Sequence, residues 1–283
     1  MKPARILIAG SGYIGAALAA LLRNRGHTVW TLRRTPAPHD PWALRGDLTR
    51  PDSLSLPDRL THVLFCAGLQ RAAPEDYEAL FVRGLQGLLE RLTGDGHDLR
   101  RFLFTSTTGL YDVTDGRWVD EDTAAHPKRE TAKYYQQAEL QTQSAPFPSV
   151  IARLSGLYGP GRTRLLRSVA EGTALRVPGA IRYVNHIHRD DAAAALAHLA
   201  LLPTAQPLYL VTDNEPADRN ELLCWVADRL GRPHPPFADE TSMPLPRGGN
   251  KRCSNRRLRA SGFACRYATY REGYAALKLG TQK

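Results

Sequence analysis

A short apolar run followed by a glycine-rich turn opens the chain, and this pair constrains the fold more than any other feature. The run covers residues 6–9, and the turn at residues 10–15 reads GSGYIG, with the spacing G-x-G-x-x-G. In dinucleotide-binding folds the first glycine allows a tight turn, the second lets the backbone approach the pyrophosphate, and the third lets the next helix pack on the sheet. Residues 13–25 are amphipathic and end at Gly26, as a helix does. The predicted cofactor contacts in this turn are Gly10, Ser11, Gly12, Tyr13, Ile14 and Gly15.

Apolar runs of strand length alternate with helical stretches through the first two thirds of the chain. The predicted strands cover residues 6–9, 28–32, 42–44, 62–66, 101–106 and 149–154, and the predicted helices between them cover residues 13–25, 74–92 and 130–142. Such alternation is typical of parallel strands linked by crossover helices. After Leu154 short helices mix with loops, and a strand near residues 207–212 is expected to return to the sheet.

The residues that close the second predicted strand decide which dinucleotide is expected. NAD binding favours an acidic residue there, whereas the extra phosphate of NADP favours arginine. Arg33 and Arg34 occupy this position, and no carboxylate follows until Asp40. We therefore predict NADP(H) in preference to NAD(H); the alternative is that both arginines are simply solvated at a strand end.

These patterns predict an α/β fold, a Rossmann-type doubly wound, mostly parallel sheet with a smaller discontinuous C-terminal substrate lobe. The NADP-binding domain is expected at residues 1–157, with a returning strand near residues 207–212, and the substrate lobe of mixed helices and loops at residues 158–283. Ligands of such sheets bind at the carboxyl ends of the strands, where the strand order reverses. Here that point is expected between the first and fourth strands.

The net charge of +10 raises the question of a nucleic-acid partner. Arginines are spread over the whole chain, and only residues 251–259 hold a dense basic cluster. We interpret this cluster as a solvated face, with an anionic substrate as the alternative, and expect no nucleic-acid partner. The longest weakly polar stretch, residues 192–202, is shorter than the roughly 20 apolar residues that cross a bilayer. No membrane partner and a cytoplasmic location are therefore expected.

Six ordered segments carry a resemblance to the NAD-dependent epimerase/dehydratase family of the extended short-chain dehydrogenase/reductase superfamily, whose members act largely on nucleotide sugars. The segments are IAGSGYIG at the start, RGDLTRPDSL at residues 45–54, FTSTTGLYD at 104–112, ARLSGLYGPGR at 152–162, NHIHRDDAAAAL at 185–196 and SNRRLRASGF at 254–263. The resemblance covers nearly the whole length. It implies further cofactor contacts at Asp47, Leu48, Cys66, Ala67, Gly68, Ser106, Leu154 and Leu157.

The catalytic residues implied by this resemblance are only partly present. Family members commonly use a Ser or Thr after the fifth strand, which corresponds to Thr107 here. They also use a Tyr-x-x-x-Lys pair, in which the lysine charge lowers the pKa of the phenol that transfers the proton. Aligning the helix on its glutamate, Glu139, places Thr131 at the usual tyrosine and Tyr135 at the usual lysine, so both residues are replaced. The implied substrate contacts are Thr107, Tyr111 and Asn185.

Three interpretations follow from these replacements. In the first, the protein is an NADP-dependent oxidoreductase or epimerase for a small carbonyl, hydroxyl or nucleotide-sugar-type substrate, and Tyr135, Tyr134 or Tyr111 takes the acid/base role, with Tyr135 our choice beside Thr107. In the second, it is a non-catalytic NADP(H) sensor or interaction protein. In the third, the cofactor is structural and His186 or His188 performs unrelated chemistry. No metal site is expected at this histidine pair, since no third ligand has a recognisable spacing; a homodimer is one option for assembly.

Overall fold

The computed structural model describes residues 3–36, 40–69, 72–179, 181–239 and 249–277. The strands are β1 Arg5–Ala9, β2 Thr28–Arg33, β3 Ala43–Arg45, β4 His62–Phe65, β5 Arg101–Thr107, β6 Trp118–Val119, β7 Ser149–Leu154, β8 Gly156–Tyr158, β9 Tyr183–Val184, β10 His186–His188, β11 Leu208–Val211, β12 Ala217–Asp218 and β13 Arg252–Cys253. The helices are α1 Tyr13–Asn24, α2 Pro74–Glu78, α3 Leu85–Gly94, α4 Glu130–Ser144, α5 Arg164–Ala170, α6 Arg189–Leu201, α7 Arg219–Leu230, α8 Arg256–Ala260 and α9 Tyr270–Ala276.

Seven of these strands form one parallel sheet in the order β11-β7-β5-β4-β1-β2-β3. The Rossmann-type doubly wound fold predicted from the sequence is therefore confirmed, and the predicted returning strand pairs with β7 as β11. The strand order reverses between β1 and β4, so the carboxyl ends of these two strands flank the expected ligand crevice.

The helix predicted at residues 74–92 is divided in the structure. It comprises α2, a π-helical turn at Ala79–Gly84, and α3. A sequence pattern of apolar residues identifies a helical face, but it does not distinguish i+4 from i+5 hydrogen bonding, which differ by one residue per turn. The division was therefore not visible in the sequence.

Helices cover both faces of the sheet. On one face α1 buries Gly15, Leu18, Ala19 and Leu22, whose spacing of i, i+3, i+4 and i+7 puts them on one side of the helix, and α6 packs beside it. On the other face Phe65, Phe81 and Phe104 belong to a second core under α3 and α4. Among the described residues, no helix is long and apolar enough to span a bilayer.

A third cluster of buried apolar side chains joins α5, α7 and α9. It includes Leu166 from α5, Val226 from α7 and Tyr274 from α9. β8 begins two residues after β7 ends and pairs with β10. The segments that follow β7 therefore start at the carboxyl end of the sheet.

Candidate active site

The glycine-rich turn between β1 and α1 is packed too closely for side chains at two of its glycines. Gly10 has a φ of +99°, and a Cβ there would lie 2.4 Å from the Ala67 backbone. A Cβ at Gly15 would lie 2.2 Å from the carbonyl oxygen of Gly10. At Gly12 a Cβ would meet nothing within 4 Å, so this glycine faces open space. The turn thus has the packing that the motif predicts, with an open approach to the backbone at its centre.

The first turn of α1 is suited to hold a phosphate group. Gly12 is its N-cap residue and provides no side-chain cap, and no acidic residue lies in the first turn. The first N–H groups of a helix lack intrahelical acceptors and carry the positive end of the helix dipole. An anion above Gly12 would therefore find free donors and no competing carboxylate in this turn.

A cleft of about 340 Å³ opens over this turn. The predicted cofactor residues that line it are Gly10, Ser11, Gly12, Arg33, Arg34, Asp47, Leu48, Ala67 and Gly68. It is also lined by residues that the sequence did not single out, namely Leu32, Thr35, Gly46, Thr49, Leu69, Asp76, Ala79 and Leu80. The predicted residues outside this lining are Tyr13, Ile14, Gly15, Cys66, Ser106, Leu154 and Leu157. Ala79 and Leu80 belong to the π-helical turn. Because this turn changes which side chains face the cleft, the regular helical periodicity did not predict them.

The charged groups that line the cleft are Arg33 and Arg34 at the end of β2, Asp47 after β3, and Asp76 in α2. Arg33 and Arg34 are exposed, and within the described chain neither guanidinium makes a hydrogen bond or ion pair. Partial burial opposes ionisation of Asp47, but hydrogen bonds from the Thr49 backbone and hydroxyl, together with the charge of Arg34, outweigh it and lower the pKa of Asp47. The cleft therefore offers two cations without a partner in the described chain beside two carboxylates: Asp47, whose pKa is lowered, and Asp76, which accepts from the Ala73 N–H.

Tyr13 lies behind the turn rather than in the cleft. The guanidinium carbons of Arg162 and Arg189 lie 4.2 and 5.5 Å from its ring centroid. A Cβ at Gly159 would come within 2.9 Å of the Tyr13 hydroxyl and 3.2 Å of His188 Nε2. The segment after β8 thus packs directly on the glycine-rich turn.

Thr107 ends β5 at the carboxyl edge of the sheet, and the resemblance implies that its hydroxyl holds the substrate oxygen. Its Oγ1 accepts a hydrogen bond from the Gly109 backbone N–H at 3.0 Å. Among the described residues this hydroxyl donates to no acceptor, so its proton is available to a ligand. The neighbouring Ser106 is buried, and its hydroxyl has no partner there either.

The tyrosines proposed for acid/base chemistry lie in different environments. Tyr135 packs with its ring centroid 4.2 Å from that of Phe81, also near Tyr77 and Phe104. Burial raises its pKa, with a smaller contribution from Tyr77. Tyr134 instead donates to Glu130 on its own helix at 3.3 Å. No hydrogen bond in the described chain joins either hydroxyl to Thr107.

Tyr111 and Asn185, the other implied substrate contacts, use their polar groups in hydrogen bonds to other segments of the chain. The Tyr111 hydroxyl donates to the Asp120 carbonyl and accepts from Arg153 Nη1, both at 2.7 Å, and burial raises its pKa. The Asn185 amide donates to the Lys251 carbonyl at 3.0 Å and accepts from the Cys253 N–H at 2.8 Å. A substrate would have to compete with these bonds at either residue.

His186 and His188 lie in different environments. His188 is buried, and its Nδ1 accepts from the Asp190 N–H at 3.2 Å. His186 lies edge-on to Tyr158 and Tyr274, its Nδ1 has no partner in the described chain, and burial lowers its pKa to about 4. Within the described ranges, no group of three His, Cys, Asp or Glu side chains is arranged to hold a metal ion.

A second, larger cavity of about 1070 Å³ lies beside His186. Four arginines line it, namely Arg162, Arg164, Arg167 and Arg219, with Glu171 the acidic residue in the lining. Apolar walls come from Leu157, Leu165 and Tyr274. This group was not predicted from the sequence, because its arginines are spread over nearly sixty residues and come together only in the folded chain.

Comparison with known proteins assigns the chain to a family. The model of the NAD dependent epimerase/dehydratase family matches residues 6–208. The chain belongs to this family. This agrees with the parallel sheet and the glycine-rich turn, and the family binds a nicotinamide dinucleotide.

Relatives of this epimerase/dehydratase family member include oxidoreductases. A 2-alkyl-3-oxoalkanoate reductase of Stenotrophomonas maltophilia (strain K279a) is 25% identical over 250 residues, which cover 81% of this chain and 76% of that protein. A Methylobacillus flagellatus protein, provisionally assigned as an NAD-dependent epimerase/dehydratase, is 38% identical with a TM-score of 0.80 and 97% coverage of both chains. MoeE5 in complex with UDP-glucose and NAD shares the fold at 24% identity and a TM-score of 0.78, over 95% of this chain and 96% of that one. Family and relatives are thus oxidoreductases and epimerases.

Proposed function

We propose that this protein is an NADP(H)-dependent oxidoreductase or epimerase that acts on a small carbonyl or hydroxyl compound, either free or carried on a nucleotide-sugar-type group. The observation that carries the proposal is the pair Arg33 and Arg34, which line the cleft at the end of β2 without a partner in the described chain. Two exposed guanidiniums without a partner among the described residues can pair with an incoming anion, and a 2′-phosphate is the anion that distinguishes NADP from NAD.

The residues of the cleft fit such a cofactor. Open space at Gly12, free N–H groups at the start of α1 and two unpaired guanidiniums match a pyrophosphate and a ribose phosphate. When bound, the nicotinamide would supply the hydride chemistry. The protein's own contribution would be to hold the dinucleotide, orient the substrate and move a proton.

Thr107 and Tyr135 are the residues that we assign to the substrate oxygen and the proton. The Thr107 hydroxyl has an unused proton and can donate a hydrogen bond to a carbonyl oxygen. Burial raises the pKa of Tyr135, which keeps its phenol protonated at neutral pH but makes it a weaker acid than an ordinary tyrosine, so its assignment rests on its place in α4 and not on its pKa. The arginine-lined cavity beside His186 supports a substrate with an anionic group.

Two measurements test this proposal. Calorimetric titration should show tighter binding of NADP⁺ than of NAD⁺, and the reverse order would refute the cofactor assignment. Consumption of NADPH should then be followed over a panel of aldehydes, ketones, 3-oxo acids and nucleotide sugars. Thr107→Ala should abolish turnover, whereas Thr107→Ser, which keeps the hydroxyl, should retain it.

A non-catalytic NADP(H) sensor or interaction protein is the second candidate. It is favoured by the tyrosines, since Tyr135 lies in an aromatic cluster, Tyr134 faces Glu130, and the Tyr111 hydroxyl is engaged on both sides. Tight NADPH binding with no turnover over the whole panel would support this candidate over the enzyme.

A further inference from the structure

Arg129 lies near Thr107 at the carboxyl end of β5, and the family resemblance assigns it no role. A Cβ placed on Gly109 would lie 3.2 Å from Arg129 Nη2 and equally 3.2 Å from Thr107 Oγ1. Both groups therefore border the same small space, which exists because residue 109 has no side chain. Arg129 is the N-cap residue of α4, and its carbonyl accepts from the N–H groups of Ala132 and Lys133 at 3.0 and 3.1 Å, so its backbone is held in place.

The donors of these two groups are uncommitted. The Thr107 hydroxyl accepts from the Gly109 N–H, which leaves its own proton free. The Arg129 guanidinium is exposed and makes no hydrogen bond or ion pair with any described residue. Two donors, one of them charged, thus border one space, so a single small ligand can accept from the guanidinium with a carboxylate and from the hydroxyl with a second oxygen.

Two lysines near this point are already engaged. Lys128 forms an ion pair with Asp112 at 2.7 Å. Lys251 is buried and donates to the Tyr111 carbonyl at 3.0 Å, and burial lowers its pKa, with Arg129 contributing in the same direction. Arg129 is therefore the cation here that a ligand can reach without first displacing a protein partner.

We propose that Arg129 and Thr107 form a binding pair that selects an oxo acid rather than a neutral ketone at the carboxyl end of β5: the Arg129 guanidinium pairs with the carboxylate, and the Thr107 hydroxyl donates its proton to the ketone oxygen. This proposal rests on the proposed function, because it names the class of substrate that the same site takes. Arg129 precedes by two residues Thr131, the position at which the family's tyrosine would stand. In this chain the group at the start of α4 that meets the substrate is thus a fixed positive charge rather than a phenol.

Calorimetric titration of the NADP⁺-saturated protein with acetoacetate and with methyl acetoacetate tests the pair. The two probes share the ketone and differ in the charge, and neither is turned over with the oxidised cofactor. We expect the acid to bind more tightly than the ester. Arg129→Gln should weaken the binding of the acid by about tenfold or more, the equivalent of one charge-assisted hydrogen bond, and leave the affinity for the ester unchanged. Gly109→Ala should weaken both probes, because the new methyl group fills the shared space.

The control variants are Arg91→Gln, on the distant surface of α3, and Gly94→Ala, where a Cβ meets nothing within 4 Å. Both should bind the probes as the wild type does, and all variants should keep the wild-type NADP⁺ affinity, which shows that they fold. Equal loss of acid and ester in Arg129→Gln, no loss at all, or no wild-type preference for the acid would each overturn the pair. If the wild type fails to bind NADP⁺, the proposed function fails instead, and the same titrations on the cofactor-free protein decide the pair.

Discussion

Arg153 and Glu139 form a two-fold hydrogen-bonded ion pair in the interior, beside the candidate site. Arg153 Nε donates to Oε1 at 2.9 Å and Nη2 to Oε2 at 2.6 Å, and the two side chains are only 8% and 6% exposed. The third guanidinium nitrogen of Arg153, Nη1, donates to the Tyr111 hydroxyl oxygen. The pair thus joins β7 to α4 and, through Tyr111, fixes the segment that follows Thr107 at the end of β5.

Removing one partner of this buried pair should be strongly destabilising. Glu139→Ala leaves the Arg153 charge without its carboxylate, and we expect a loss of about 3–5 kcal/mol in the free energy of unfolding. The control is Asp95→Ala, which breaks the exposed pair with Arg91 on α3 and should cost less than about 1 kcal/mol. Urea denaturation measures both; a similar small loss in the two variants would show that the buried pair is not a structural anchor.

Substitutions of two glycines in the turn should separate cofactor binding from stability. Gly12→Ala places its methyl group in open space at a negative φ, so we expect a normal melting temperature but NADP⁺ binding weakened by about tenfold or more, because the methyl group lies where the phosphates approach. Gly15→Ala would collide with the Gly10 carbonyl and should lower the melting temperature itself. Thermal melts and calorimetry distinguish the two effects. If Gly12→Ala binds NADP⁺ normally, the pyrophosphate does not lie over this turn.

Neutralising the arginines at the end of β2 should reverse the cofactor preference. In Arg33→Ala/Arg34→Ala the affinity for NADP⁺ should fall by about tenfold to a hundredfold, the range expected for charge-assisted hydrogen bonds, whereas the affinity for NAD⁺ should hardly change. Arg91→Ala, which removes one arginine outside the cleft lining, serves as the control for the loss of a surface charge. An equal loss of both cofactors would indicate that the arginines contact a group common to NAD⁺ and NADP⁺.

Asp213 should make the protein less stable as the pH rises. Burial raises its pKa to about 8, with the charges of Glu215, Glu272 and Asp191 acting in the same direction. The folded protein therefore keeps this proton up to about pH 8, whereas the unfolded chain loses it above about pH 4. Its contribution is greatest below pH 4, declines from pH 4 to pH 8 by at most about 1.4 kcal/mol per pH unit, and is then constant.

Asp213→Asn removes this titration and keeps an oxygen that can accept from the Glu215 N–H. The stability of the variant relative to the wild type should therefore increase from pH 5 to pH 8. Urea denaturation at several pH values measures the difference. A difference that is constant over this range would mean that the folded protein does not retain the proton.

Phenylalanine substitutions test the acid/base assignment of Tyr135. Tyr135→Phe keeps the ring that packs on Phe81, so we expect unchanged stability and NADP⁺ affinity but a lower kcat on whichever panel substrate is turned over. Tyr134→Phe, on the exposed side of the helix beside Glu130, should leave kcat unchanged. If Tyr135→Phe turns over at the wild-type rate, the proton comes from another group.

The sequence determined the fold class and the cofactor turn, because both depend on local patterns. Alternating apolar runs identified the parallel strands, and the glycine spacing located a turn whose close packing the structure shows at Gly10 and Gly15. The reversal of the strand order between the first and fourth strands was also predicted, and the structure has it between β1 and β4. Element ends shifted by a residue or two, since hydrogen bonding rather than hydropathy sets them.

Tertiary structure alone decided which polar side chains are free to act. Tyr111 and Asn185 carry groups that suit a substrate, but their partners come from segments far away in the chain and occupy those groups. Conversely, Arg129 has no distinguishing pattern in the sequence, and it matters because the bend after β5 brings Thr107 and Gly109 next to it. Local sequence specifies which groups are present and which element holds them; whether a donor is used up or left open depends on contacts between residues that the chain brings together only when it folds.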